Sequence, residues 1–159
     1  MSGRAYILKG TVVLLTMVWL LSACRPRTVY YQYKHTQPSG WEKNDTLSFV
    51  IGPITASDNY KQEIGLRING AYPFMSLQLI VEQQLLTSGK LRADTLTCSL
   101  IDLQGTPLGD GVSHYQYLLP LNSLMLHQKE RLRVAIRHNM KREILPGITD
   151  VGIRLTRAH

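Results

Sequence analysis

Asp110, Ser113 and His114 stand together in the stretch GDGVSH. An acid, a hydroxyl and an imidazole are the ingredients of nucleophilic catalysis. The flanking residues favour a plainer reading, because Gly109-Asp110-Gly111 has the composition of a tight turn feeding a strand at His114–Tyr117. The chain has no Gly-x-Ser-x-Gly elbow, no H-E-x-x-H and no pair of cysteines at zinc spacing. A lone GxG without a helix after it cannot cradle phosphate. The residue patterns therefore predict no enzyme, no cofactor and no metal ion.

Two other groups of residues have binding chemistry. Arg131, Arg133 and Arg137 fall on the face of a strand opposite Leu132, Val134 and Ile136. Such a row suits an anionic polymer, lipid phosphates or an acidic partner, or it is a solvated face answered by carboxylates on the next strand. Trp41 lies in the polar stretch PSGWEKND, and Tyr72-Pro73-Phe74 sits between two strands. Aromatic rings on sandwich loops can stack on sugars or grip a peptide. The alternative is that Trp41 folds back as a lid on the edge of the core.

Cys24 has chemistry of a different kind. Arg4 and Lys9 precede a run of apolar residues, TVVLLTMVWLL, and the small residues Ser22 and Ala23 lead into Cys24. A positive start, a short apolar stretch and a small-residue exit form a secretory signal. A spanning helix needs about 20 apolar residues, and Arg25-Pro26-Arg27 ends this run early. Leu21-Ser22-Ala23-Cys24 resembles a bacterial lipobox, which implies cleavage after Ala23 and diacylglyceryl attachment to the Cys24 sulfur. Several acyl chains on one residue would hold the protein durably, where a single chain holds only marginally. An exported chain rarely meets nucleic acid; removal of Arg4 and Lys9 with the signal would leave sixteen basic against eleven acidic residues, and the arm RPRT after Cys24 could touch anionic head groups. Cys98 then remains as a lone thiol, and its neighbours Leu96 and Leu100 alternate with polar residues, so it is expected inside the core.

The elements that must position these residues are strands. Val29–Tyr33 is a short aromatic strand candidate, period-two alternation runs through 47–51, 64–68, 77–82, 132–137 and 151–156, and turn signals such as GPITASDN, NGAYP, LQGTPLGDG and ILPGITD separate the runs. The stretch 121–129 is the closest to a helix and is expected to be one helical turn or an irregular crossover. With 159 residues, 44% of them apolar and 18% charged, the chain has the makings of one folded domain. The expected architecture is all-β, an antiparallel β-sandwich of Ig-like or jelly-roll-like form, with a barrel as competitor. The expected organisation is a lipoprotein signal peptide over 1–23, an anchor arm over 24–28 and a β-sandwich domain over 29–159.

The order of landmarks resembles the gliding-motility lipoprotein GldH family of Bacteroidetes-type bacteria. After the lipobox come Val29-Tyr30, Gly40-Trp41, Asp45 and Phe49, then Tyr72-Pro73-Phe74 with Leu77, Leu79 and Val81. Asp94-Thr95-Leu96, Leu108-Gly109-Asp110-Gly111, Arg137-His138 and Met140 follow, and the closing segment Leu145–Arg154 is the most specific. The resemblance implies an envelope lipoprotein of the gliding apparatus and its type IX secretion machinery, with no known catalysis. It implies partners among the envelope proteins of that apparatus and contact with membrane lipid through Cys24. The acidic tags of some surface lipoproteins of these bacteria are missing after Cys24, so the domain is expected to face the periplasm from the outer membrane. A glycan- or peptide-binding lipoprotein using Trp41, Tyr72 and Phe74 is the alternative.

Overall fold

The computed structural model describes residues 28–158. The expected signal peptide, and the arm with Cys24, lie outside the described residues except for Thr28. Among the described residues the strands are β1 (Thr28–His35), β2 (Trp41–Glu42), β3 (Leu47–Ile51), β4 (Asp58–Asn69), β5 (Ser76–Leu85) and β6 (Leu91–Ser99). They continue with β7 (Asp110–Gly111), β8 (His114–Leu126), β9 (Leu132–His138), β10 (Ile144–Leu145) and β11 (Ile148–Arg157). One sheet has the order β1-β11-β4-β8-β7 and the other β3-β9-β5-β6, with β2 and β10 forming a small separate ribbon. Every pairing is antiparallel.

Leaving out the two-residue strands, successive strands cross from one sheet to the other except at the β5–β6 hairpin, and the first strand lies beside the last. This is the jelly-roll order. It decides between the two sandwich types, because an Ig-like sandwich keeps its first two strands in one sheet. The hairpin closes through Gly89, at φ 70°, with Gly89 N–H donating to the Leu85 carbonyl.

Alternation supplies the core. Leu77, Leu79 and Val81 of β5, Leu132, Val134 and Ile136 of β9, and Phe49 and Ile51 of β3 are buried against Ile64, Leu66 and Ile68 of β4 and Val151, Ile153 and Leu155 of β11. Each such side chain contributes about 1.5–3 kcal/mol on burial. Cys98 joins this layer, and burial pushes its thiol up to about 11.

The expectation of a helical turn or crossover at 121–129 is corrected, since β8 runs on to Leu126. The reason is a bulge. Leu121 pairs with Gln62 and Leu124 with Tyr60, so β8 spends one more residue than β4. The inward side chains Leu119, Leu121, Leu124 and Leu126 are thereby spaced two, three and two apart, which imitates a helix. The same device in β11, between Ile148 and Asp150, sets Ile148 and Val151 three apart on one face.

The two ends of the sandwich differ. The chain enters β1 at Thr28, beside Thr156 of β11. Loops 52–57 and 127–131 meet at this end through Lys129 N–H to the Ile54 carbonyl and Gln128 N–H to Ser57 Oγ. The opposite end holds the segments around Trp41, Tyr72, Leu103 to Val112 and Gly147.

Candidate functional site

Trp41 is enclosed completely. Gly40, at φ 121°, turns the chain inward, and β2 pairs Trp41 with Leu145 of β10. The indole Nε1–H donates to the Asp45 carbonyl at 2.9 Å, and the ring meets His138 edge-on with centroids 5.3 Å apart. His138 is equally buried, and its Nε2 lies 3.2 Å from the Trp41 carbonyl oxygen. Burial first, and nearby Lys43 to a smaller degree, hold the imidazole below its ordinary value, against the opposing pull of the Trp41 and Glu143 carbonyls.

Tyr72 is also inside, with its hydroxyl donating to the Ser76 carbonyl at 2.8 Å and its pKa raised chiefly by burial. Phe74 packs edge-on against Tyr72, with centroids 5.8 Å apart. Phe74 is half-buried and borders a shallow hollow with Met140, Lys141 and Arg142. Of the expected stacking residues, then, Trp41 and Tyr72 offer no face to a ligand and brace the end of the sandwich. Gly147, at φ 81°, belongs to the same brace, because a Cβ there would lie 2.2 Å from the Tyr72 nitrogen.

The arginines stand outward on the four-stranded sheet. Arg137 reaches Glu82 of β5 at 3.7 Å, a surface pair of small worth. Arg133 lies between Val50 of β3 and Gln84 of β5. Among the described residues neither it nor Arg131 has a carboxylate partner. Arg131 precedes β9 at the end where the chain enters, and its carbonyl accepts from Leu86 N–H.

Asp110, Ser113 and His114 are exposed and do not converge. Ser113 Oγ lies 3.3 Å from the Nδ1 of its neighbour His114, while Asp110 is held in the β7–β8 pairing opposite Gln116. Among the described residues no cluster of three or more His, Cys, Asp or Glu could hold a metal ion.

A polar-aromatic platform on the outer face of the five-stranded sheet was not anticipated from the sequence. Tyr33 of β1 lies across Gly152 of β11 and Gly65 of β4, where added Cβ atoms would meet its ring or hydroxyl at 2.6–2.9 Å. The Arg67 guanidinium stacks over that ring at 4.1 Å and bonds to Gln116 Oε1. Tyr31 and Tyr33 share a hydroxyl contact of 3.0 Å, and Arg154 binds Glu63 at 2.6 Å. His35 is paired with Asp150, whose second oxygen accepts from Thr149. The signal was present in Tyr33, Gly65 and Gly152, but these residues become neighbours only across three strands.

Two outcomes are expected. Gly65→Ala destabilises by about 1–3 kcal/mol through overpacking, and Tyr33→Ala in the same chain removes most of that cost, because the obstacle is a side chain. Gly152→Ala is not rescued in this way, since its Cβ would also lie 2.5 Å from the Gln32 backbone oxygen. Urea unfolding of the single and double variants gives the comparison. The second outcome concerns His138. Its folded pKa lies below the unfolded value of 6.5, so the unfolded chain binds the extra proton first as pH falls. The stability supplied by neutral His138 is complete above about pH 6.5 and declines below it. The urea midpoint measured downward from pH 7.5 falls more steeply for the native sequence than for His138→Gln.

Comparison with known proteins adds three findings. Residues 28–155 match the family model described as GldH lipoprotein. The gliding motility lipoprotein GldH of Flavobacterium johnsoniae is 30% identical over 155 residues, covering 93% of this chain and 96% of that protein. Among solved structures, the Eiger TNF of S. frugiperda aligns with 84% of this chain and 94% of its own, at 9% identity and a TM-score of 0.36.

Proposed function

The chain belongs to the GldH lipoprotein family, and from that premise we propose that it is a non-enzymatic accessory or scaffold module of the gliding apparatus and the associated type IX secretion machinery. The family to which it belongs is one of gliding-motility lipoproteins, which makes it a membrane-associated protein of the cell envelope. The finer reading removes residues 1–23 as a signal peptide, acylates Cys24, keeps 24–28 as an arm and uses 29–159 as the binding body. It places the anchor in the outer membrane with the body in the periplasm, touching other envelope proteins of the apparatus.

The observation that carries this reading is the family match across the whole sandwich, with a lipobox cysteine a few residues ahead of it. The geometry is compatible with a tether. Three residues lie between Cys24 and Thr28, so the four residue steps of an extended arm reach about 14 Å. The end entered by β1 presents Lys61, Lys129, Arg131 and Arg157 against Asp58 and Glu130, a balance suited to anionic head groups. Arg131 is thereby assigned a lipid-facing role and Arg133 a partner-facing one. The stacking alternative loses support, because Trp41 and Tyr72 are enclosed.

The test is metabolic labelling with palmitate in a gliding relative that lacks its own copy. The native sequence incorporates label, sediments with membranes and restores colony spreading. Cys24→Ala loses the label and the membrane fraction, and spreading with them. Full spreading by an unlabelled, soluble Cys24→Ala protein would contradict the tether.

A further inference from the structure

Beyond the far end, where the Tyr117 hydroxyl donates to the Leu100 carbonyl, the flank between β6 and β8 is open. β6 pairs with β5 alone, and β7 covers β8 only at Gln116 and Tyr115. Among the described residues no strand pairs with the outer edge of β8 from Tyr117 to Leu126. Three hollows follow one another along this seam, of about 350, 360 and 220 Å³ from the far end to the end entered by β1. Leu119, Leu121 and Leu124 of β8 and Leu96 of β6 are half-buried there, and Met125 is 50% exposed. Pro120, which has no N–H, the bulge between Leu121 and Leu124, and the Asn122 carbonyl taken by Gln62 Nε2 interrupt this edge, and the backbone groups on either side of them are a template for another strand.

The last hollow contains a second feature. Gln83 is 97% buried by its 3% exposure, and its Nε2 donates to Gln62 Oε1 at 3.2 Å. Its own Oε1 has no partner, and Gln83 lines the hollow. A buried acceptor without a donor is costly, and it weakens the packing of this wall of the hollow. Lys90 and Arg92 stand on the same rim. Arg92 is neutralised by Asp94 at 2.9 Å, which leaves Lys90 as the charge to be answered.

We propose that this flank receives an extended segment of another envelope protein, which adds as a strand to the free edge of β8. The segment is apolar at every second residue, facing Leu96, Leu119, Leu121 and Leu124, and carries an acidic side chain against Lys90. Main-chain bonds to β8 hold it and the alternating pockets select it. The chain's own arm is not the occupant, because it enters at β1, the opposite edge of the same sheet. A second copy is disfavoured by the tether. Two β8 edges paired antiparallel would turn one anchored end away from the bilayer by about 40 Å, the length of a thirteen-residue strand. The proposal rests on the scaffold reading and specifies where the partner sits.

Photo-crosslinking in living cells tests it, with p-benzoylphenylalanine at Met125 and at Leu91, and at Val50 and Val112 for comparison. Val50 lies on the opposite flank and Val112 at the far end, both exposed. Adducts to one protein are expected at Met125 and Leu91, with the linked peptide reading as alternating apolar residues with an acid near Lys90. Lys90→Glu, and Met125→Lys read from the Leu91 probe, each lower the yield at least fivefold while the melting temperature is unchanged. Adducts at Val50 or Val112 with none on the flank would sink the proposal and leave the scaffold reading standing. Adducts at none of the four positions would remove both. Linkage to a second copy, or to a segment without alternation, would also overturn the strand assignment.

Discussion

β11 is the strand on which the fold depends. It lies between β1 and β4, so the first and last parts of the chain must meet before the five-stranded sheet exists. Its inward residues Ile148, Val151, Ile153 and Leu155 are all buried. Its outward Gly152 lets Tyr33 cross from β1 to β4. Register is fixed from both faces at once, because a slip of one residue would expose the apolar set and drive a side chain into Tyr33. Six of the eight strand pairings among the described residues join segments distant in sequence, the β5–β6 and β7–β8 pairs excepted, which makes such a fold slow to form.

Much of this was legible. Strict alternation in β3, β4, β5, β9 and the later part of β11 identified the strands and their buried faces, and the neighbours of Cys98 placed it inside. The failure at 121–129 has a definite cause, since the β8 bulge puts Leu121 and Leu124 three apart and disguises a strand as a turn of helix. Trp41 stood in polar company because its neighbours are the exposed side of a two-residue strand. What turns it inward is Gly40 and the pairing with Leu145, a residue more than a hundred positions away. The Tyr33 platform and the open flank were invisible for a related reason: cross-strand adjacency and an absent neighbour leave no periodic mark.

The candidate contacts divide along the same line. Residue type suggested Trp41 and Tyr72, yet large rings beside a sheet end are as valuable for closing the core as for gripping a ligand. The arginine row was placed correctly on an outward face, because alternation fixes faces; which arginines lack a carboxylate depends on β3 and β5. The proposed scaffold role asks for a strand-built body behind an acylated Cys24. Among the described residues the β8 edge, like the outer edges of β1, β3 and β6, pairs with no other strand over most of its length.

Native-state amide hydrogen exchange on the mature domain probes this arrangement most directly. Amides of β11 from Val151 to Leu155 should exchange only through global unfolding, while outward-facing amides of β8 between Leu118 and Met125 exchange through local opening many times faster. Equal protection of the two strands in the isolated monomer would contradict an account in which β11 locks the sandwich and β8 lies open.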